Sequence, residues 1–144
     1  MPRMAVAAGG RLDESQTITW VPLARRRRRA RGFDQAELLA NALAHRAGLP
    51  VRGLLERVRE TDPQARRSAA DRRKALAGAF RVVAPPPPRV VLVDDVLTTG
   101  ATAGACATAL RDAGTSTVGV VTAARALNGP LPGRCYARDV WILS

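Results

Sequence analysis

The stretch that decides the fold is VVLVDDVLTTGAT, at residues 90–102. Its four leading apolar residues are typical of a strand buried on both faces of a parallel sheet. Asp94 and Asp95 follow directly, so the strand would bring two adjacent carboxylates to the carboxyl edge of the sheet, where open α/β folds bind ligands. The short turn that comes next opens a helix, which we expect from about Ala103 to Ala113.

The turn after the two acids has the chemistry of a phosphate site. Backbone N–H groups and the positive end of the dipole at a helix N-terminus attract anions, hydroxyls add donors, and a glycine allows close approach. The candidates for binding a 5-phosphate are Thr98, Thr99, Gly100, Ala101 and Thr102. The paired carboxylates of Asp94 and Asp95 suit vicinal ribose hydroxyls and a hydrated Mg²⁺ ion. A 5-phosphorylated ribose therefore fits the segment end to end.

The spacing of residues 90–102 matches neither a P-loop nor a GxGxxG turn. It resembles the signature with which type I phosphoribosyltransferases bind 5-phosphoribosyl-1-diphosphate (PRPP): four apolar positions, two acids, three intervening residues and Thr-Gly-x-Thr. The alternative is a buried strand followed by a capped turn with ordinary acids.

The first half of the chain alternates secondary structure with basic loops. Residues 17–21 have the alternation of a strand that Pro22 stops. An arginine-rich loop is expected at 25–32. Asp34 then begins a helix, because Glu37 three positions later completes a capping pattern. The helix is expected to end at residues 48–50. A second capping pattern, at Ser68 and Asp71, opens a basic helix that ends near Gly78.

Short strands are expected at 51–58 and 79–83, and buried strands at 118–122 and 140–143. A strand, a helix and a strand in that order form a βαβ unit with a right-handed crossover. The predicted fold class is α/β, type I phosphoribosyltransferase-like, with a mostly parallel sheet flanked by helices. Residues 1–16 are expected to be a loose leader or remnant, and 17–144 a single domain.

The charge, the cysteines and the length of the apolar runs limit the kinds of function that the chain can have. The net charge is +11, and residues 1–80 hold 17 of the 23 basic and 8 of the 12 acidic residues. A basic half attracts polyanions. The alternative is a general preference for arginine over lysine on ordinary solvent-exposed faces, which agrees with the presence of only one lysine. Cys106 and Cys135 form no CxxC pair, which argues against structural zinc. No run approaches the roughly 20 apolar residues of a membrane span, so a cytoplasmic protein is expected.

Several segments extend the resemblance to the ComF family. Val21-Pro22-Leu23 precedes a run of arginines, and RGFDQAE at 31–37 is similar to the family's RGFNQAE. Residues 57–61, 63–64, 72–73 and 78–80 continue in the family's order, so the similarity runs from about Trp20 to Leu127. Three features depart from the family. The usual amino-terminal zinc ribbon is not found, the helix and chain before the first strand are short for the family, and Ala24 and Ala75 stand where the family often has His and Asn.

The resemblance implies roles for further residues. The loop after the first strand would contact diphosphate through Leu23, Ala24 and Arg25. Residues 59–74 would match the flexible loop that closes over the reacting centre. Its candidates for neutralising diphosphate are Arg66, Arg67, Arg72 and Arg73. The cofactor would be Mg²⁺ bound with PRPP near Asp94 and Asp95, which would be the catalytic pair.

Three functions stay open at this stage. The first is a phosphoribosyltransferase that moves phosphoribosyl from PRPP to a nitrogen acceptor and releases diphosphate. The second is a competence accessory protein that binds single-stranded DNA, with PRPP regulatory or vestigial. Its candidate contacts are Arg25, Arg26, Arg27, Arg28 and Arg29. The third is a degenerate paralogue without activity. A homodimer would cover apolar strands that a small domain leaves exposed.

Overall fold

The computed structural model describes residues 15–23, 25–59, 76–97, 101–125 and 140–143. Six strands and three helices lie in these ranges. In chain order they are β1 (Thr17–Trp20), α1 (Arg25–Arg31), α2 (Gln35–Ala47), β2 (Leu55–Arg57), β3 (Phe80–Val82), β4 (Arg89–Leu97), α3 (Ala101–Asp112), β5 (Thr117–Arg125) and β6 (Val140–Leu143). No helix in the described ranges is long and apolar enough to cross a membrane.

The main sheet has four strands in the order β1-β4-β5-β6, and every neighbouring pair is parallel. Trp20 pairs with Val93, and Asp94 pairs with Thr122. The segment after α2 covers the outer edge of β1, because the Ile18 N–H donates to the carbonyl of Pro50 at 2.9 Å. The mostly parallel α/β fold predicted from the sequence is confirmed.

Apolar side chains pack on both faces of the sheet, as the four-residue apolar run of β4 predicts. Alternate residues of a strand point to opposite faces. Val91 and Val93 lie in a cluster with α2, whereas Val90 and Leu92 lie in a cluster with α3. The sheet is therefore flanked by a helix on each face, and β4 is buried between them.

A second sheet consists of β2 and β3 alone, which pair antiparallel. Leu55 and Phe80 are buried in the same cluster as Cys106 of α3, so one face of this ribbon packs against that helix. On the other face the Arg81 guanidinium donates to Glu56 at 2.7 Å. Strands near both positions were expected from the sequence, but their separate antiparallel sheet was not.

The prediction of an arginine-rich loop at 25–32 is wrong, because Arg25–Arg31 forms the helix α1. Arginine is among the better helix formers, and basic side chains in a last turn complement the helix dipole. The helix ends at Gly32, whose φ of +73° suits glycine, and the Gly32 N–H donates to the Arg28 carbonyl at 2.8 Å. The loop was predicted from the charge of the segment, without regard to the helix propensity of arginine.

The predicted ends of α2 are confirmed. Asp34 is the N-cap residue, and Gly48 ends the helix in the left-handed conformation at φ +66°. Helix α3 begins at Ala101, two residues earlier than expected, and Gly114 follows it with φ +112°. The second capping pattern, at Ser68 and Asp71, lies outside the described residues.

Candidate functional site

The acidic pair lies near the carboxyl end of β4. Asp94 is buried, with 8% of its surface exposed, and Asp95 is half-buried. Strand alternation continues past Val93, so Asp94 belongs to the face that packs against α3 and Asp95 to the face that packs against α2. The two acids therefore approach the edge from opposite faces of the sheet.

Asp94 lies between Thr122 of β5 and the residue that follows β1. Thr122 of β5 is buried beside Asp94 in the register of the sheet. On the other side of β4, the N–H of Val21 donates to the carbonyl of Val93 at 2.9 Å, which starts the loop after β1 next to the acids. The acids thus lie just beyond the end of β1, on the carboxyl side of the sheet, where open α/β folds bind ligands.

Helix α3 begins four residues after β4 ends. Ala101 and Thr102 are half-buried in its first turn, and their helix presents N–H groups and the positive end of its dipole at that point. The other three candidates for the 5-phosphate, Thr98, Thr99 and Gly100, lie outside the described residues. Of the five residues expected to bind the 5-phosphate, the structure therefore describes the two at the start of the helix.

Asp34 fixes the loop expected to contact diphosphate. One carboxylate oxygen accepts the N–H of Leu23 at 3.1 Å, and the other accepts the N–H of Ala36 at 3.0 Å. The N–H of Leu23 thus already has a protein acceptor. Of the other two candidates in this loop, Ala24 lies outside the described residues and Arg25 is the first residue of α1.

Helix α1 presents a dense positive surface. Arg26, Arg27, Arg28 and Arg29 are all exposed. Arg28 lies 3.5 Å from the carboxylate of Glu37 on α2, and both side chains are accessible to solvent. Such an exposed pair contributes little to stability, so the arginines remain accessible for anionic partners. The flexible-loop candidates, Arg66, Arg67, Arg72 and Arg73, lie outside the described residues.

The charges of Asp94 and Arg57 both act on Cys106, although no sequence pattern assigned Cys106 or Arg57 to the site. The Cys106 side chain is fully buried in α3. Burial raises the pKa of its thiol well above the ordinary value, the negative charge of Asp94 raises this pKa further, and the positive charge of Arg57 opposes them. Arg57 entered the sequence comparison only as part of the ComF resemblance. Its place on the α3 side of the main sheet depends on the β2–β3 pairing, which no local sequence pattern reveals.

The residues at the edge suit Mg²⁺ bound together with a phosphorylated ligand. Carboxylate oxygens are the hard ligands that this ion prefers, and it commonly takes its other oxygens from phosphates and water. Within the described part of the chain, no group of three His, Cys, Asp or Glu side chains could hold a metal ion. Asp94 and Asp95 are the carboxylates that would hold such an ion, with phosphate and water as its other ligands.

The sequence of this chain is similar to those of known proteins. Competence protein F of Haemophilus influenzae is 38% identical over 116 residues, which cover 77% of this chain and 51% of that protein. The DNA utilization protein YhgH of Salmonella typhi is 41% identical over 112 residues, covering 76% of this chain and 49% of that protein. The chain thus spans about half the length of the curated relatives it matches. No protein-family model matches it.

Solved structures agree on the fold. The glutamine PRPP amidotransferase of B. subtilis superposes with a TM-score of 0.55 at 22% identity, over 92% of this chain and 32% of the other. A hypoxanthine phosphoribosyltransferase of Staphylococcus aureus superposes with a TM-score of 0.53 at 12% identity, over 90% of this chain and 61% of the other. Through the segment it shares with competence protein F and YhgH, the chain belongs to the ComF family, and its fold is that of the type I phosphoribosyltransferases.

Proposed function

We propose that this chain binds PRPP together with Mg²⁺ at the carboxyl edge of its sheet and transfers the phosphoribosyl group to a nitrogen acceptor. The observation that carries the proposal is the placement of Asp94 and Asp95 near the carboxyl end of β4, which ends at Leu97, four positions before α3 begins at Ala101. Acids for the ribose and a helix start for the 5-phosphate then lie on either side of one strand-to-helix connection.

In this proposal the bond between C1 of the ribose and the diphosphate oxygen breaks while a bond from C1 to the acceptor nitrogen forms. The diphosphate leaves, and the proton of the acceptor nitrogen passes to solvent. Mg²⁺ would neutralise part of the charge on the diphosphate. Asp94 and Asp95 would hold the ribose hydroxyls, and the first turn of α3 would hold the 5-phosphate. Catalysis would come mainly from positioning and from stabilisation of charge.

The experiment that tests the site compares the protein with a variant that carries Asp94→Asn and Asp95→Asn. A ligand that binds only the folded state raises the free energy of unfolding by about 2.7 kcal/mol at a hundred times its Kd. PRPP with Mg²⁺ should therefore raise the melting temperature of the unsubstituted protein and leave that of the variant unchanged. Asp112→Asn is the matched control, because Asp112 is an exposed acid in the last turn of α3. An equal rise in the double variant would show that the site is misassigned.

A second function, binding of single-stranded DNA, is favoured by the surface of α1. Arg26, Arg27, Arg28 and Arg29 are all exposed around this helix, and α1 contains no acid. Guanidinium groups pair well with phosphate oxygens, and a positively charged track is what a single strand requires. The names of the relatives, competence protein F and DNA utilization protein, agree with such a partner. PRPP would then be a regulatory ligand or a vestige of an older activity.

A further inference from the structure

The β2–β3 ribbon carries two arginines on opposite faces. In its register Glu56 pairs with Arg81 and Arg57 pairs with Phe80. The side chains of Glu56 and Arg81 meet on the exposed face. Phe80 is buried against the cluster that contains α3, so Arg57 extends from the face of the ribbon that packs on the helix.

Arg57 is held in place at the end of β2. Its guanidinium carbon lies 5.5 Å from the centre of the Phe80 ring, a distance at which a cation and an aromatic face attract each other. Its Nε donates to the carbonyl of Arg59 at 3.2 Å. The side chain is half-buried, unlike that of its exposed neighbour Arg59. These two contacts keep the Arg57 guanidinium beside the Phe80 ring.

That position is on the same side of the main sheet as Asp94. The ribbon, α3 and the Asp94 face of β4 all meet around Cys106, whose thiol is sensitive to the charges of both Arg57 and Asp94. Asp94 is 8% exposed, and a nearby cation lowers the cost of burying a carboxylate against an apolar helix. Such a carboxylate would also repel a phosphorylated ligand.

We infer that Arg57 is a cation of the phosphoribosyl site: it offsets the buried charge of Asp94 and attracts the diphosphate of the ligand from the α3 side of the sheet. This rests on the proposed PRPP site and adds a residue to it. It also assigns a function to the ribbon, which would supply a fixed charge at the stem of the segment that connects β2 and β3. The arginines that the sequence suggested for diphosphate lie elsewhere along the chain.

The role predicts an effect that grows with the charge of the ligand, because the Coulomb energy is proportional to that charge. PRPP with Mg²⁺ still carries more negative charge than ribose 5-phosphate. Arg57→Met keeps most of the length of the side chain and removes its charge. We expect this variant to bind PRPP about tenfold more weakly and ribose 5-phosphate no more than about threefold more weakly, as measured by calorimetry. Arg57→Lys should recover part of the PRPP affinity.

The matched control is Arg81→Met, which removes the same charge from the other face of the same ribbon. It should leave both affinities unchanged. An equal loss for both ligands in Arg57→Met would overturn the inference and show that the residue only supports the fold. Unchanged PRPP affinity in Arg57→Met, together with lost affinity in the Asp94 and Asp95 variant, would overturn the inference and leave the proposed function standing. Absence of PRPP binding by the unsubstituted protein would remove both.

Discussion

The carboxylate of Asp34 accepts the backbone N–H of Leu23 at 3.1 Å, which joins the loop after β1 to the start of α2. Asp34 is buried, and its other oxygen accepts the N–H groups of Ala36 at 3.0 Å and Glu37 at 3.4 Å. The arginine helix α1 lies between Leu23 and Asp34 in the chain. One acid thus fixes both ends of the segment that carries the positive surface, next to the acidic edge of the sheet.

Asp34→Ala should destabilise the protein by about 2 kcal/mol, because it removes a helix cap and leaves buried N–H groups without an acceptor. The destabilisation is measurable by urea denaturation. Asp34→Asn is the matched control: asparagine caps helices as well as aspartate does and keeps one acceptor oxygen, so most of the stability should return. Equal destabilisation in both variants would mean that the charge of Asp34, and not its hydrogen bonds, stabilises this segment.

Replacing Arg25, Arg26, Arg27, Arg28 and Arg29 with Ala should weaken binding of single-stranded DNA and flatten its dependence on salt. For a single strand, removing one phosphate contact lowers the slope of log affinity against log salt by about 0.7. Alanine favours helix, so α1 should persist. Titration of a fluorescent oligonucleotide at about 50 and 200 mM salt measures the slope.

A smaller set of substitutions tests whether DNA binding depends on the position of the arginines or only on the net charge of the protein. Arg26, Arg27 and Arg29 lie on α1, whereas the three exposed arginines Arg46, Arg52 and Arg59 lie outside it. Changing either set to Ala lowers the net charge equally. Only the α1 set should reduce the salt slope substantially. Equal effects of the two sets would indicate a diffuse attraction for DNA and no defined binding surface at α1.

The buried thiol of Cys106 makes stability depend on alkaline pH. Its pKa is raised in the folded protein, mainly by burial and further by Asp94, whereas the thiol of an unfolded chain titrates near pH 8.5. Above that pH the unfolded chain loses the proton and the folded protein keeps it. The free energy of unfolding should therefore fall by about 1.4 kcal/mol per pH unit, until the folded thiol also titrates.

Urea denaturation between about pH 7 and pH 10 tests this dependence when the protein is compared with Cys106→Ala. The variant should lack the part of the decline that Cys106 causes. Below about pH 8 the difference between the two proteins should be constant, since the thiol is then protonated in both states. Parallel curves over the whole range would contradict the burial of Cys106.

Two glycines should respond to alanine in opposite directions. Gly48 ends α2 at φ +66°, where an L-residue is strained, so Gly48→Ala should cost about 1 kcal/mol. Gly104 lies within α3, and an added Cβ there meets no atom within 4 Å. Gly104→Ala should stabilise the protein by about 0.5–1 kcal/mol through the helix preference of alanine. Thermal denaturation of both variants checks the two signs.

Local patterns in the sequence predict most of the main sheet. The apolar run of β4 and the acids that follow it indicate a parallel strand and its ligand edge, and capping residues place both ends of α2. These features depend on neighbours in the chain, so they can be recognised without knowing the fold.

The features that the sequence did not predict depend on contacts between distant residues. The antiparallel pairing of β2 with β3 joins residues more than twenty positions apart, and it alone brings Arg57 to the Asp94 side of the sheet. The bond from Leu23 to Asp34 likewise exists only once β1 and α2 are packed. Helix α1 was missed for a different reason, since its charge was given more weight than its helix propensity.

The most direct test of the central claim is calorimetric titration of the protein with PRPP, with and without Mg²⁺. Saturable binding that requires Mg²⁺ and is absent in the variant with Asp94→Asn and Asp95→Asn is the result expected of a phosphoribosyl site at the end of β4. A folded protein that takes up no PRPP in the presence of Mg²⁺ would contradict the account.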